Sequence, residues 1–265
     1  MNKTTVATLL KQKQQGEKIA CLTAYDYSFA ALLDRNGIDV ILVGDSLGMV
    51  MQGHDTPVPV TIEDCIYHTK CVTRGVNNAM VIGDLPFGSY QISKEQALKN
   101  SVRLMQEGGA HIIKYEGGEH MVEVTNFLTT RGIAVCGHIG LTPQSVNQFG
   151  GFKVQGRGEA GERLLDEAVS LEQAGVSLLI LEAIPADLAK KISQSISIPT
   201  IGIGAGIHCD GQILVLQDML GIYPAGSPKF AKNFMQDSDS INDAIANYVK
   251  AVKSSTFPEK QHSFS

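Results

Sequence analysis

The sequence predicts an α/β protein folded as a single (β/α)8 TIM barrel, and three observations carry the prediction. Apolar, β-branched runs recur along the chain, and several end in glycine and a polar or charged residue. Buried parallel strands need such unbroken apolar runs rather than alternation. Helical patterns separate the runs at a regular cadence, with no Gly/Ser-rich break, which marks βαβ units. The length of 265 residues suits a barrel, which uses about 250 as one domain. A doubly wound open sheet shares the first two observations, since pattern alone does not show whether first and last strands meet.

In order, Thr5 to Gln14 places Val6, Leu9 and Leu10 at helical spacing, predicting an N-terminal helix across one barrel end. Lys18 to Thr23 is the first strand. A helix opens near Tyr25-Asp26-Tyr27-Ser28 and stops at Asn36-Gly37. The second strand, from Ile38, ends in Gly44-Asp45-Ser46, and Gln52 to Val60, with Gly53, Pro57 and Pro59, reads as a loop. Thr61 followed by Glu63 and Asp64 starts a helix running to about Gly75. The third strand ends at Asp84, and Ser93 through Gln96 forms a capping-box pattern for a helix that Gly108-Gly109 terminates. The fourth strand ends in Lys114 and Glu116, the next helix covers Glu119 to Thr130, and the fifth strand ends in His138. Ile139 to Gly161 reads as one long loop and a lid candidate. A helix from Glu162 to Ala174 leads into the sixth strand and Glu182, and Pro185 opens another helix where its missing donor costs nothing. Pro199 to Gly204 and Gln212 to Gln217 are the seventh and eighth strands, Ser227 to Val252 supplies terminal helices, and 254–265 reads as a loose polar tail on a single domain spanning 1–265.

Composition narrows the function. A net charge of -5 without a basic block argues against nucleic acid or an anionic membrane, both of which select clustered Lys and Arg. Small molecules are the expected partners. Five scattered cysteines with no Cys-x-x-Cys pair suit a reducing compartment, and no apolar run is long enough to span a bilayer. A cytoplasmic setting is expected.

The strand ends carry the chemistry. Asp45, Asp84 and Glu116 project from three successive strands, and hard oxygen donors of this kind suit a dication such as Mg2+. Any one of them alone reads equally as a helix cap. Lys114, two residues before Glu116, shares its face; it holds a substrate carboxylate or forms a structural ion pair. Glu182 follows an apolar run, and poorly solvated surroundings suit a general base. His138 either bonds a substrate oxygen or caps the next loop. Gly202 to Gly206 hints at a dinucleotide loop, but Ile207 stands where the third glycine belongs.

Longer blocks point further. Gly44 to His54 with Pro59-Val60-Thr61, Asp84-Leu85-Pro86-Phe87, Lys114-Tyr115-Glu116-Gly117-Gly118, Gly137 to Gln144, Gly150 to Gly158, Gly202 to Gly206 and Pro228 to Phe234 closely resemble the ketopantoate hydroxymethyltransferase family. The resemblance spans nearly the whole chain. It implies a barrel of the phosphoenolpyruvate/pyruvate type, cytoplasmic and commonly a homodecamer, acting at the first committed step of pantothenate biosynthesis. Asp45 and Asp84 would then bind Mg2+ or another dication, with Glu116 at the metal directly or through water. The substrate, 3-methyl-2-oxobutanoate, would meet Asp45, Ser46, Asp84, Lys114 and His138, and Glu182 would be the proton acceptor. The one-carbon donor implied is 5,10-methylenetetrahydrofolate, and the product of the metal-stabilised enolate is 2-dehydropantoate. A related metal-enolate lyase and a non-catalytic barrel are the competing readings.

Overall fold

The computed structural model describes residues 3–265. Eight parallel strands close a barrel in sequence order: β1 Ile19–Thr23, β2 Val40–Val43, β3 Met80–Asp84, β4 Ile112–Lys114, β5 Val135–Gly140, β6 Leu178–Glu182, β7 Thr200–Ile203 and β8 Gly211–Leu214. The first strand pairs with both neighbours, Cys21 opposite Val40 and Ile19 opposite Gly211, so the open-sheet alternative is excluded. The helices are α1 Val6–Gln15, α2 Tyr27–Arg35, α3 Leu47–Val50, α4 Ile62–Thr73, α5 Lys94–Arg103, α6 Val122–Thr129, α7 Val146–Phe149, α8 Glu159–Gln173, α9 Ala186–Ser195, α10 Leu216–Met219 and α11 Ile241–Lys253. Among the described residues no helix is long and apolar enough to cross a membrane.

Strand parity sorts the core. Cys21, Val40, Leu42, Met80, Ile82, Ile112, Cys136, Leu178, Ile180, Ile201 and Ile213 point inward and fill the barrel, while the alternate residues face the helices. Leu9 of α1 joins the inner cluster, and Lys13 bonds the carbonyls of Ser193 and Ile198, so the N-terminal helix does lie across one barrel end. Thr61 and Asp64 form the expected reciprocal capping box on α4. At α5 only half of one forms: Ser93 accepts from the Gln96 amide, but the Gln96 side chain turns to the Ile92 amide and the Gly88 carbonyl. The helix then ends in a π-turn over Leu104–Gly108, which takes up one extra residue.

Four expectations need correction. Strand eight ends at Leu214 rather than Gln217, because the Thr23 hydroxyl captures the Leu216 amide and starts α10. The long loop after His138 is largely built: β5 runs on to Gly140, a 3-10 turn covers Pro143–Ser145, α7 follows, and α8 begins at Glu159. Ahead of α11, residues 227–233 are irregular and Phe234–Asp237 forms a single 3-10 turn. The supposedly loose tail is packed. Phe257 is 3% exposed, with its ring 5.5 Å from that of Phe234, and Phe264 bridges to Pro185 while its carbonyl accepts the Ala186 amide. Average polarity hid these few anchoring rings. Phe257→Ala is therefore expected to cost about 3–5 kcal/mol of stability, measured by urea unfolding; a change near zero would mean a tail that does not pack.

Candidate active site

Parity that fills the barrel with aliphatics also delivers the polar residues. Asp84 continues Met80 and Ile82, Lys114 and Glu116 continue Ile112, His138 continues Cys136, and Glu182 continues Leu178 and Ile180. All therefore emerge inside the barrel at the carboxyl ends of the strands. Asp45 and Glu116 lie just past their strands, in the turns that follow β2 and β4.

The acids gather round one ammonium. Lys114 Nζ lies 2.8 Å from both oxygens of Asp84 and 3.7 Å from Glu116 Oε1, all three residues being buried. Asp84 Oδ2 also accepts the Asp45 amide at 3.1 Å. Burial works against the Lys114 ammonium, but Asp84, Glu116 and Asp45 outweigh it and hold its pKa above the ordinary value. Three carboxylates against one lysine leave negative charge in excess. Burial first and Asp84 next push Asp45 up to about 7, and burial likewise raises Glu116.

His138 stands between two of the acids, Nδ1 3.5 Å from Glu116 Oε1 and Nε2 3.2 Å from Glu182 Oε2. Neither separation is aligned as a hydrogen bond, so both ring nitrogens are without a partner. Burial lowers its pKa, which favours the neutral ring. Glu182 is the least enclosed of the group and faces the cavity. Directly after it Ala183 has φ 46, a left-handed turn costly for a residue with a Cβ. Gly140, with φ 94, faces it across the sheet, where a Cβ would press on the Glu182 carbonyl.

Two residues that sequence reasoning did not single out organise this cluster. Gln144, from the 3-10 turn after β5, donates its side-chain amide to Asp45 Oδ2 at 2.8 Å and to the Leu85 carbonyl, and its backbone amide to Glu116 Oε2 at 2.9 Å. Tyr90 donates to Gln144 Oε1 at 2.7 Å and sits against the Glu116 backbone. Tyr90 had no signal beyond membership of a loop beside a strand end, and Gln144 had only its place at the end of the Gly137 to Gln144 block, which gave it no role. Ser46 meets the Tyr25 hydroxyl at 2.8 Å and, with Asp45, Asp84, Lys114, Glu116, His138 and Glu182, lines one cavity of about 570 Å3. That volume is typical of a small-molecule site.

The donor set suits a hard cation with open positions. Among the described residues no three acidic, histidine or cysteine side chains form a ready cage for a metal ion. Mg2+ commonly takes only one or two carboxylates and fills its remaining positions with water or substrate oxygens. Asp45 and Asp84, linked by the Asp45 amide, meet that requirement, and the raised pKa of Asp45 marks a buried carboxyl with no cation of its own. Glu116 is held back by Gln144 and Lys114.

Comparison with known proteins gives this site its context. A 3-methyl-2-oxobutanoate hydroxymethyltransferase of Neisseria meningitidis serogroup A / serotype 4A is 57% identical over 260 residues, covering 98% of each chain. Among solved structures, phosphoenolpyruvate phosphomutase of Streptomyces platensis subsp. rosaceus superposes with a TM-score of 0.61 at 12% identity, covering 82% of each chain. Phosphonopyruvate hydrolase in complex with oxalate and Mg2+ gives 0.60 at 12%, covering 81% of each. These structures share the barrel architecture. A sequence profile described as ketopantoate hydroxymethyltransferase matches residues 3–260. With that match over nearly its whole length and a relative of such high identity, the chain belongs to the ketopantoate hydroxymethyltransferase family.

Proposed function

We propose that this enzyme transfers a hydroxymethyl unit from 5,10-methylenetetrahydrofolate to 3-methyl-2-oxobutanoate through an enolate, giving 2-dehydropantoate. The observation that carries the reading is the buried Asp45, Asp84, Glu116 and Lys114 cluster, opening into one cavity with Glu182 on its wall. Membership of the family, and a fold neighbour solved with oxalate and Mg2+, support it.

Asp45 and Asp84 are the residues that would hold Mg2+ or another dication, with Glu116 behind them through water. When bound, a dication there supplies positive charge beside the 2-oxo and carboxylate oxygens, where negative charge grows as the C3 proton leaves. Lys114 offers the remaining positive charge for the substrate carboxylate, and Ser46 a hydroxyl donor. Glu182 takes the C3 proton, and the electron pair of the broken C–H bond moves toward the 2-oxo oxygen. Neutral His138, 3.2 Å from Glu182 without a hydrogen bond to it, keeps its ring N–H free as a donor for the substrate. C3 then bonds to the one-carbon unit as both of its carbon–nitrogen bonds break; water supplies the hydroxyl oxygen and one proton, the C3 proton taken by Glu182 supplies the other, and the two freed nitrogens leave protonated as tetrahydrofolate. The cytoplasmic setting and the homodecamer belong to the same reading.

Incubation with both substrates and Mg2+ is expected to give 2-dehydropantoate, and a chelator to abolish it. Absence of product with Mg2+ present would sink the assignment.

A further inference from the structure

Several buried side-chain atoms have no hydrogen-bond partner among the described residues, and only two of the residues concerned, His138 and Asp218, line the cavity. His138 belongs to the oxo-acid end. Asp218, on α10 just after β8, is 6% exposed; its Oδ1 is unpaired and no cation lies within ion-pair distance among the described residues. Burial alone pushes its carboxyl up to about 6. A buried carboxylate without donors is costly. In the wall of a binding cavity it marks the place of a ligand that brings them.

The 2-oxo acid is not that ligand. Its carboxylate and ketone are acceptors only, so it has nothing to offer a second acceptor. A cavity of about 570 Å3 also exceeds what a small oxo acid fills, and Phe152, Tyr223 and Phe230 give part of its wall the character of an aromatic platform. The co-substrate differs. Its pteridine ring carries an exocyclic amino group beside a ring N–H, two parallel donors that match the two oxygens of a carboxylate.

We propose that Asp218 anchors the one-carbon donor by accepting this pair of hydrogen bonds from its heterocycle, its carboxylate turning on binding to present Oδ1, which protein atoms enclose. The inference rests on the folate reading above and deepens it by naming the residue that selects the donor. It also divides the cavity: Lys114, Ser46 and the acids around them serve the oxo acid, and Asp218 serves the heterocycle.

Steady-state kinetics on the wild type, Asp218→Asn and Asp218→Leu test this, with each substrate varied in turn. The KM for 5,10-methylenetetrahydrofolate is expected to rise about 10- to 100-fold in both variants, the range set by hydrogen bonds to a charged group. The KM for 3-methyl-2-oxobutanoate should stay within about twofold. Thermal midpoints should not fall, because each substitution removes an unpaired buried carboxylate. An unchanged folate KM, or a lowered midpoint with both KM values raised together, would overturn the assignment. Wild-type turnover with the folate is measured first. Its absence sinks the donor reading and this inference with it, whereas turnover that survives Asp218→Leu with unchanged folate KM sinks the Asp218 assignment alone.

Discussion

Glu182→Gln is expected to bind 3-methyl-2-oxobutanoate and to lose exchange of its C3 proton in deuterated water by about 100- to 10,000-fold, the usual contribution of a positioned general base. The amide keeps the shape of the carboxylate and its approach to His138, so positioning survives while proton acceptance does not. Buried Asp45, Asp84 and Glu116 are poor substitutes, because they are committed to Lys114, Gln144 and one another. The exchange is followed by the decay of the C3–H resonance with no folate present, which separates proton removal from carbon–carbon bond formation. Retained exchange at the wild-type rate would move the role elsewhere, with His138, 3.2 Å away, the next group to test.

Asp84→Ala and Lys114→Met are expected to move dication affinity in opposite directions. Asp84 gives both oxygens to Lys114 at 2.8 Å, so the ammonium competes with a dication for that carboxylate. Removing Asp84 takes away a ligand and strands a buried ammonium, costing about 3–5 kcal/mol of stability and weakening Mg2+ binding. Removing the ammonium leaves Asp84, Asp45 and Glu116 without their shared counter-charge, so Lys114→Met should bind Mg2+ more tightly and be stabilised more by it. The same variant should lose affinity for the oxo acid. Calorimetric titration with Mg2+, paired with thermal unfolding at several Mg2+ concentrations, reads both effects. Unchanged affinity in Asp84→Ala would contradict ligation.

The barrel and the inward-facing half of the site were legible because one rule, period two along a strand, governs both. Met80, Ile82 and Asp84 obey it, as do Ile112, Lys114 and Glu116. Asp84 and Glu116 could thus be placed on an inner face without knowing the fold around them, whereas Asp45 is out of step with Val40 and Leu42 and reaches the site through the turn after β2. Gln144 and Tyr90 obey no such rule. They arrive from loops, and their role depends on where two chain segments 54 residues apart meet, which local pattern does not encode. Asp218 was unreadable for a related reason: its significance lies in the absence of a partner, and that appears only when the whole cavity is assembled. The tail was misread because three side chains, Phe257, His262 and Phe264, decide its fate, whereas composition averages over all twelve residues from 254 to 265.

Closure of the sheet between Ile19 and Gly211 has a consequence in time. The strand made first pairs on one side with the strand made last, so at ordinary synthesis rates its outer edge waits about ten to forty seconds for its partner to emerge. During that wait it is an unpaired apolar edge, the kind of surface on which nascent chains associate with one another. Because this contact is among the most distant in sequence, its loop-closure cost falls late and slows the final step of folding. Variants that weaken β8 should therefore show themselves first as lower yield of folded protein during synthesis, before any change appears in the finished enzyme.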